Sequence, residues 1–578
     1  MYYIEKNASM HFWLTAIFWL LLALPAWAQF DLIASEEIAN DQFRARVWAD
    51  GRMFWDRQNS QFFAPPDSAT SPIRVVGLWL GGIDDGGTFK TSIQQYNTDG
   101  KTDFFPGTLE NYTGQQGQLI NKVFKVRGEE IAAHMQDYKD NLIVDNPIPA
   151  VFGWPGPNNP HFEALHGLEP LAEGAFFWDS DADRNYNPEL GDYPLVATRG
   201  FSVPEPFHGP PHEMVWSVFN DGYLHTQSDG EPVLMEVQAT HYIWRCGNEG
   251  LINNTLFTTY RLINRAPELI DSFFVGVYLD ADIGCPQDDY LGTIPDWNTM
   301  YAYNASPRDT SCTQYASYGD NPPVVALTLL RGPSDEFGNE VEMAFAMPVY
   351  PGDTTLPDGM QAPETSSPEY YRNLTGSWKD GSPLTYGGNG YQTGTPTPFA
   401  FSGNPAVDTG WTEPGAGLPP GDRAMIASFG PFRLDPGAVN QVDFAISLYH
   451  QSEMDHMEKV QAVYDSVPYL INTYNYFGHD PNAQILECNP IVTSTRPATS
   501  PPPSWGLFPN PGRGRVWLSG LSGPAEITLS NALGEVVHHS REELVDPHPL
   551  DLSHLPPGLY VLSFRQGERR QSRRLVIH

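Results

Sequence analysis

Between residues 214 and 281 the chain repeats one pattern four times: a run of strand length, apolar or alternating, then a cluster of turn residues. The runs are 214–219, 232–245, 255–265 and 270–281. Asn220-Asp221-Gly222, residues 246–250 and residues 264–267 break them. Strands spaced this closely leave no room for crossover helices. They predict antiparallel sandwich sheets rather than βαβ units. Residues 324–330, 342–347, 424–429 and 442–449 continue the pattern, with Pro436-Gly437 as a turn. Upstream, residues 43–55 read as two strand-like runs joined by Asp50-Gly51, and residues 73–83 as an apolar, β-branched run. Helical spacing is confined to residues 129–141 and 452–477. The second places Met454, Met457, Val460, Val463 and Tyr464 on one face. The expected fold class is mainly β: a multi-domain antiparallel β-sandwich body with few helices.

The N-terminus addresses the compartment. A polar start at residues 1–6 precedes an apolar run at 11–24, and Pro25-Ala26-Trp27-Ala28 puts small residues before Gln29. This is the layout of a signal peptide cleaved after Ala28, because the apolar run is short for a membrane span. A formal net charge of −36 makes nucleic acid an unsuitable partner and disfavours anionic lipid. It suits an extracellular protein that stays soluble and collects divalent cations. Hydrophobic residues at 40% are enough to build cores, so the acidity is not that of a disordered tail.

A chain of 578 residues is too long for one ordinary domain. The expected divisions are a signal peptide (1–28), a β-rich N-terminal region ending in an acidic loop (29–195), a β-sandwich body (196–488), a linker (489–504) and a small terminal module (505–578). Residues 351–422, rich in Pro, Gly, Ser and Thr, read as a functional or surface excursion from the body. Strands expected in the terminal module, at 514–519, 526–530, 536–539, 558–564 and 571–577, suggest a small Ig-like sandwich. The four cysteines allow three pairings. Cys285–Cys312 is preferred, because it closes a loop beside an acidic cluster; the alternative is free, buried thiols. None has the CxxC spacing of a zinc or redox site.

Two acidic stretches are candidate calcium sites. In residues 179–192 oxygen-bearing side chains recur at every second position. Counting Asp181 as position 1 places Asp183, Asn185, Glu189 and Asp192 at 3, 5, 9 and 12, with the Asn187 carbonyl at 7. These are liganding positions of an EF-hand-like or dockerin-like loop. Asp179 then stands outside the ligand set. Tyr186 occupies position 6, where the sharp turn wants Gly. Calcium here would clasp the N-terminal region against the strands that follow. The second stretch is Asp280, Asp282, Asp288, Asp289 and Asp296, at the end of an expected strand. Asp280, Asp282, Asp288 and Asp289 are its candidate ligands, with no fixed motif behind them.

Catalytic motifs are not found. His161-Phe-Glu-Ala-Leu-His166 is not HExxH, and its histidines do not share a helical face. His208 and His212 flank Gly-Pro-Pro and read as loop residues. There is no Gly-x-Ser-x-Gly elbow, phosphate loop or dinucleotide fingerprint. Carboxylates paired in space for glycoside hydrolysis stay open. Trp79, Trp154, Trp297 and Trp411 are either core or a sugar-stacking platform.

The terminal module carries Phe508-Pro-Asn-Pro511, the run Asn531 to Val537, Leu550-Asp-Leu-Ser-His-Leu555, Pro557-Gly-Leu-Tyr560 and a closing basic strand, Arg573-Arg-Leu-Val-Ile577. It resembles the C-terminal sorting domain, type A-like, of the type IX secretion system of Bacteroidota. That resemblance implies export to the periplasm, passage through an outer-membrane pore, and release or surface attachment with removal of the module by a sortase-like peptidase. The body is similar to large secreted proteins of the same bacteria. The shared phrases are Asp50-Gly-Arg-Met-Phe-Trp-Asp56, Gly77-Leu-Trp-Leu-Gly-Gly-Ile-Asp84, Asp103-Phe-Phe-Pro-Gly107, Asn187-Pro-Glu-Leu-Gly-Asp-Tyr-Pro194 and Gly430-Pro-Phe432. No activity comes with that likeness. The expected function is a non-enzymatic, calcium-stabilised secreted or surface protein, structural, adhesive or ligand-binding. The partners would be the secretion machinery and a glycan or protein ligand. The alternative is a polysaccharide-binding or polysaccharide-degrading protein.

Overall fold

In an antiparallel strand, neighbouring side chains point to opposite faces, so one strand can serve two cores. The strand Glu213–Asn220 does this. Val215 and Phe219 enter one apolar cluster; Met214, Trp216 and Val218 enter another. The computed structural model describes residues 33–197, 210–246, 250–475, 506–508, 515–519, 523–531, 536–545, 548–566 and 569–577. The signal-peptide and linker stretches, His208 and Cys488 lie outside the described residues.

Two sheets build the body. The larger runs Asp289–Ile294, Thr299–Asn304, Val324–Arg331, Val439–Tyr449, Thr255–Asn264, Met235–Ile243, Glu213–Asn220, with Phe105–Pro106 and Phe124–Arg127 both pairing the last strand. The smaller runs Met343–Val349, Ala424–Leu434, Ile270–Asp280, Val75–Asp84, Phe89–Ile93. Every pairing in both sheets is antiparallel. The two sheets share one large core, in which Val75, Leu78, Val277 and Ile426 join Leu256, Tyr260, Phe444 and Ile446. The other face of the larger sheet is covered twice. The helix His456–Asn475 packs Val460, Val463 and Val467 on Tyr301, Tyr303 and Tyr449. Residues of the 120–196 stretch, among them Trp154, Phe162 and Tyr186, pack on Trp216 and Tyr242.

The strand ladder is therefore present; Ala424–Leu434 and Val439–Tyr449 run longer than expected, and Met235–Ile243 shorter. Three expectations change. The boundary near residue 195 marks no break in the sheets, because Val75–Asp84 and Phe89–Ile93 are strands of the same sheet as Ile270–Asp280. The Asp50-Gly51 turn forms, with Gly51 N–H donating to Trp48 O at 3.1 Å. The strand Arg44–Trp48, however, pairs chiefly with Ser35–Ala39 and Phe62–Phe63. The excursion at 351–422 contains the helix Ser367–Leu374 and buries Tyr370, Trp378, Trp411 and Glu413. Cys285 and Cys312 are bridged, with Cα atoms 5.5 Å apart. Cys246 is disulfide-bonded as well, which removes the free-thiol alternative for all three described cysteines.

The terminal unit is separate from the body. Four strands, Val536–Leu544, Gly523–Asn531, Gly558–Gln566 and Arg569–Ile577, make one antiparallel sheet; Gly506–Phe508, Arg515–Ser519 and His548–Asp551 make another. Alternate residues Ala525, Ile527 and Leu529 meet Tyr560, Leu562 and Phe564 in its core. The strand His548–Asp551 was not expected from the sequence, since Pro549 weakens the pattern.

Candidate metal centre

Three neighbouring strands of the smaller sheet end at one place. Asp280, the last residue of Ile270–Asp280, is in register with Val75 on one side and Ala424 on the other. Arg74 stands just before Val75, and its backbone N–H donates to Asp280 O at 2.9 Å. Asp422 stands just before Ala424. Asp282 follows Asp280 by two. The pairing thus gathers Asp280, Asp282 and Asp422, and one oxygen from each lies within 4.8 Å of the others. Asp280 is fully buried and Asp282 4% exposed.

The hydrogen-bond count is incomplete here. Tyr96 donates its hydroxyl to Asp280 Oδ2 at 2.5 Å, and Arg74 Nη1 reaches Asp282 Oδ2 at 3.4 Å. Asp280 Oδ1, Asp282 Oδ1 and Asp422 Oδ1 are buried and accept from no protein N–H or hydroxyl; within the cluster, only a proton held between Asp280 and Asp282 pairs any of them. Buried polar groups are nearly always paired, so three such oxygens in one place need an explanation. Charge is short as well. Arg74, stacked over Trp55 at 4.8 Å and Tyr96 at 5.3 Å, faces three carboxylates. Arg423 is already engaged: Nε donates to Glu413 Oε1 at 2.9 Å.

The titration behaviour follows from this imbalance. Burial, reinforced by Asp282 and Asp422, pushes Asp280 well above the ordinary carboxylate range. Burial pushes Asp282 up to about 6, against the pull of Arg74. Burial and the Asp282 charge push Asp422 up to about 7. Burial alone would lower Arg74, but Asp282 and Asp280 hold it above its usual value.

Asp288 and Asp289, the other expected ligands, do not join this group. Asp289 Oδ2 accepts from Ile283 N at 3.0 Å, and Asp288 Oδ2 from Thr310 N at 2.9 Å. Their other oxygens are again buried and unpartnered, as is Asn304 Oδ1. Asp296 sits in the exposed turn Pro295–Trp297. Sequence reading missed Asp422, which closes the Pro- and Gly-rich excursion. The signal was an acid immediately before a strand, the mirror of the acids at the end of another.

The loop at 179–192 is built differently. Asp179, Asp181 and Asp183 come within 4.8 Å of one another, so Asp179 joins the group it was expected to stand outside. Their oxygens already accept backbone N–H groups: Asp183 N at 3.2 Å from both Asp179 and Asp181, Arg184 N at 2.8 Å from Asp179, Asn185 N at 2.7 Å from Asp183. The other expected ligands are not gathered with them. Asn185 Oδ1 accepts from Asn158, the Asn187 side chain caps Glu189 N, and Glu189 faces His161 at 3.5 Å. Asp192 is 1% exposed and accepts from Ser180 N, Ser180 Oγ and Asn187 N at 2.8–2.9 Å. Tyr186, in the position that wants Gly, is fully buried and donates its hydroxyl to Val151 O at 2.6 Å. The chain turns instead at Ala182 and Arg184, both at positive φ.

The remaining candidates are structural. His166 Nε2 lies 2.8 Å from Gly153 O and its Nδ1 2.8 Å from Lys122 Nζ, so it serves no zinc with His161. Trp79, Trp154 and Trp411 are core residues, and Trp297 is exposed.

Residues 506–578 match the family described as the secretion system C-terminal sorting domain. The chain is therefore a secreted protein carrying a type IX sorting signal, directed to the cell surface or the extracellular space. No curated protein matches the chain. Matching solved structures include one titled a polysaccharide lyase, 9% identical, with a TM-score of 0.18. The match covers 66% of this chain and 42% of that one, so this chain spans less than half of that protein. A likeness at that level carries no argument about fold or function.

Proposed function

We propose that the chain acts at the cell surface or outside the cell as a calcium-stabilised, non-enzymatic protein, structural, adhesive or ligand-binding. The observation that carries this reading is the Asp280–Asp282–Asp422 cluster. Each uncompensated buried charge costs several kcal/mol. A hard divalent cation with oxygen ligands removes that cost and satisfies the three open oxygens together. In this reading residues 1–28 open the export route, residues 505–578 meet the type IX machinery and a sortase-like peptidase, and the cation braces the body. The test is calorimetric titration of the chelator-stripped chain with Ca²⁺, paired with thermal melting. Calcium uptake and a raised melting temperature are expected. No uptake and unchanged melting would overturn the reading.

One observation favours the polysaccharide-active alternative. A cavity of about 530 Å³ is lined by Tyr96, Lys101, Gln227 and Glu364. Burial pushes the Glu364 carboxyl up to about 7; Oε1 accepts from Asn373 and Oε2 has no partner. A carboxyl still protonated near neutrality suits a general acid. Cleavage of any polysaccharide in a broad screen, abolished by Glu364→Gln, would establish this alternative. An inactive wild-type chain would remove it.

A further inference from the structure

A cavity of about 340 Å³ adjoins the three-aspartate cluster, and Asp282 belongs to both. Arg74, Gly284, Asn59, Gln314 and Tyr315 also line it. Asn59 and Gln314 are exposed amides and Tyr315 a half-buried ring. The Arg74 guanidinium lies over the Tyr315 ring at 6.0 Å, and Asp282 lines the same cavity, so this wall stands beside the cluster. The wall is fastened. Cys312 is tied to Cys285, next to Gly284. Gly284, at φ 68°, leaves no room for a Cβ against Asp309, whose carboxylate accepts Cys285 N at 3.2 Å and Tyr318 N at 2.5 Å.

Coordination and charge decide what such a cavity takes. Calcium requires six to eight oxygens. Asp280 Oδ2 and Asp282 Oδ2 are occupied by Tyr96 and Arg74, so the three carboxylates offer at most four free oxygens. The backbone carbonyls of Asp280 and Asp422 already accept from Arg74 N and Arg423 Nη1. These oxygens leave at least two of an ion's six to eight positions to water or to the hydroxyls of a ligand. Three carboxylates against one guanidinium and one divalent ion leave no net charge, and Asp309 stands against Gly284 on the cavity wall, so the occupied site does not attract an anion. A neutral molecule with two adjacent hydroxyls supplies the missing pair, while amides and an aromatic face are at hand for its other hydroxyls and its C–H surface.

We propose that this cavity binds a neutral sugar whose vicinal hydroxyls complete the coordination of a cation held by Asp280, Asp282 and Asp422. The inference rests on the cation reading above and names the ligand of the same site. Sugar recognition is then calcium-dependent, and Gln314 and Tyr315 touch the sugar without touching the ion.

The test uses the full chain in two independent measurements. Calcium uptake is titrated by calorimetry, and binding to an array of neutral and uronate-bearing glycans is read in calcium and in chelator. Neutral glycans should bind in calcium only. Tyr315→Ala should keep calcium affinity and melting temperature while weakening glycan binding about tenfold or more, the scale of one aromatic contact. Asp422→Asn should lose both. Calcium uptake without glycan binding overturns this inference and leaves the cation reading standing; absence of calcium uptake overturns both. Equal binding in chelator overturns the bridging role, and binding of uronate-bearing glycans alone overturns the neutral class.

Discussion

The two acidic clusters contain the same side chains and solve opposite problems. At residues 179–183 the carboxylates are exposed and their oxygens cap backbone N–H groups. The loop completes itself, and its anchors are Tyr186 and Asp192 beneath it. At Asp280, Asp282 and Asp422 the carboxylates are drawn from two distant stretches of chain; Asp280 and Asp282 are buried, Asp422 is half-buried, and each keeps one buried oxygen without a protein donor. The comparison teaches that acid density along a sequence is a poor guide to demand for a cation. What creates demand is burial without a donor.

The largest expected effect separates the clusters by ion affinity. Asp282→Asn should weaken calcium binding at the proposed strand-end site about 1,000-fold, some 4 kcal/mol, as expected when a buried charge loses its partner. Asp181→Asn should leave that site unchanged in the same titration; if the two variants behave alike, the distinction fails. Next comes the bridge beside the buried cluster. It closes a loop with a sequence separation of 27, so Cys285→Ala with Cys312→Ala should cost about 3 kcal/mol in denaturant unfolding.

The pH dependence sharpens the contrast further. Asp282 and Asp422 have folded values raised to about 6 and about 7. Groups raised in this way stabilise the fold below their unfolded value near 4, and that stabilisation is lost as pH rises through the folded values. In chelator, going from pH 8 to pH 5 should therefore stabilise the native chain by about 2–3 kcal/mol relative to the Asp422→Asn variant, which lacks that titrating group. In calcium the trend should flatten or reverse, because protons compete with the ion. Identical pH trends for the metal-free chain and the Asp422→Asn variant would contradict the assignment. The smallest effect belongs to the loop: Tyr186→Phe removes one buried hydrogen bond and should cost about 1 kcal/mol, with calcium affinity unaltered.

Most strands of the body were legible from alternation and turn punctuation alone. The sheet order was not, since it joins Val75–Asp84 to Ile270–Asp280 across nearly two hundred residues of chain. The site was half legible for the same reason. Asp280-Ala281-Asp282 is adjacent in sequence, whereas Asp422 arrives only through the pairing of Ile270–Asp280 with Ala424–Leu434. In the loop at 179–192 the spacing matched a calcium motif, yet the misfit residue carried the better information. A tyrosine where glycine is wanted is an apolar anchor, and it holds the loop to the 120–196 layer. Asn187-Pro188 likewise starts a short turn, Pro188–Leu190, that takes Glu189 away from the acids.

Register gives the strand-end cluster a further consequence. Side chains alternate between faces, so a slip of one residue between Ile270–Asp280 and either neighbour would turn Asp280 away from Arg74 and Asp422. An ion that needs all three acids therefore recognises the correctly aligned sheet and ignores misaligned ones. Its binding free energy would be added only to the native alignment, and the proposed cation would then act as a proofreader of strand pairing.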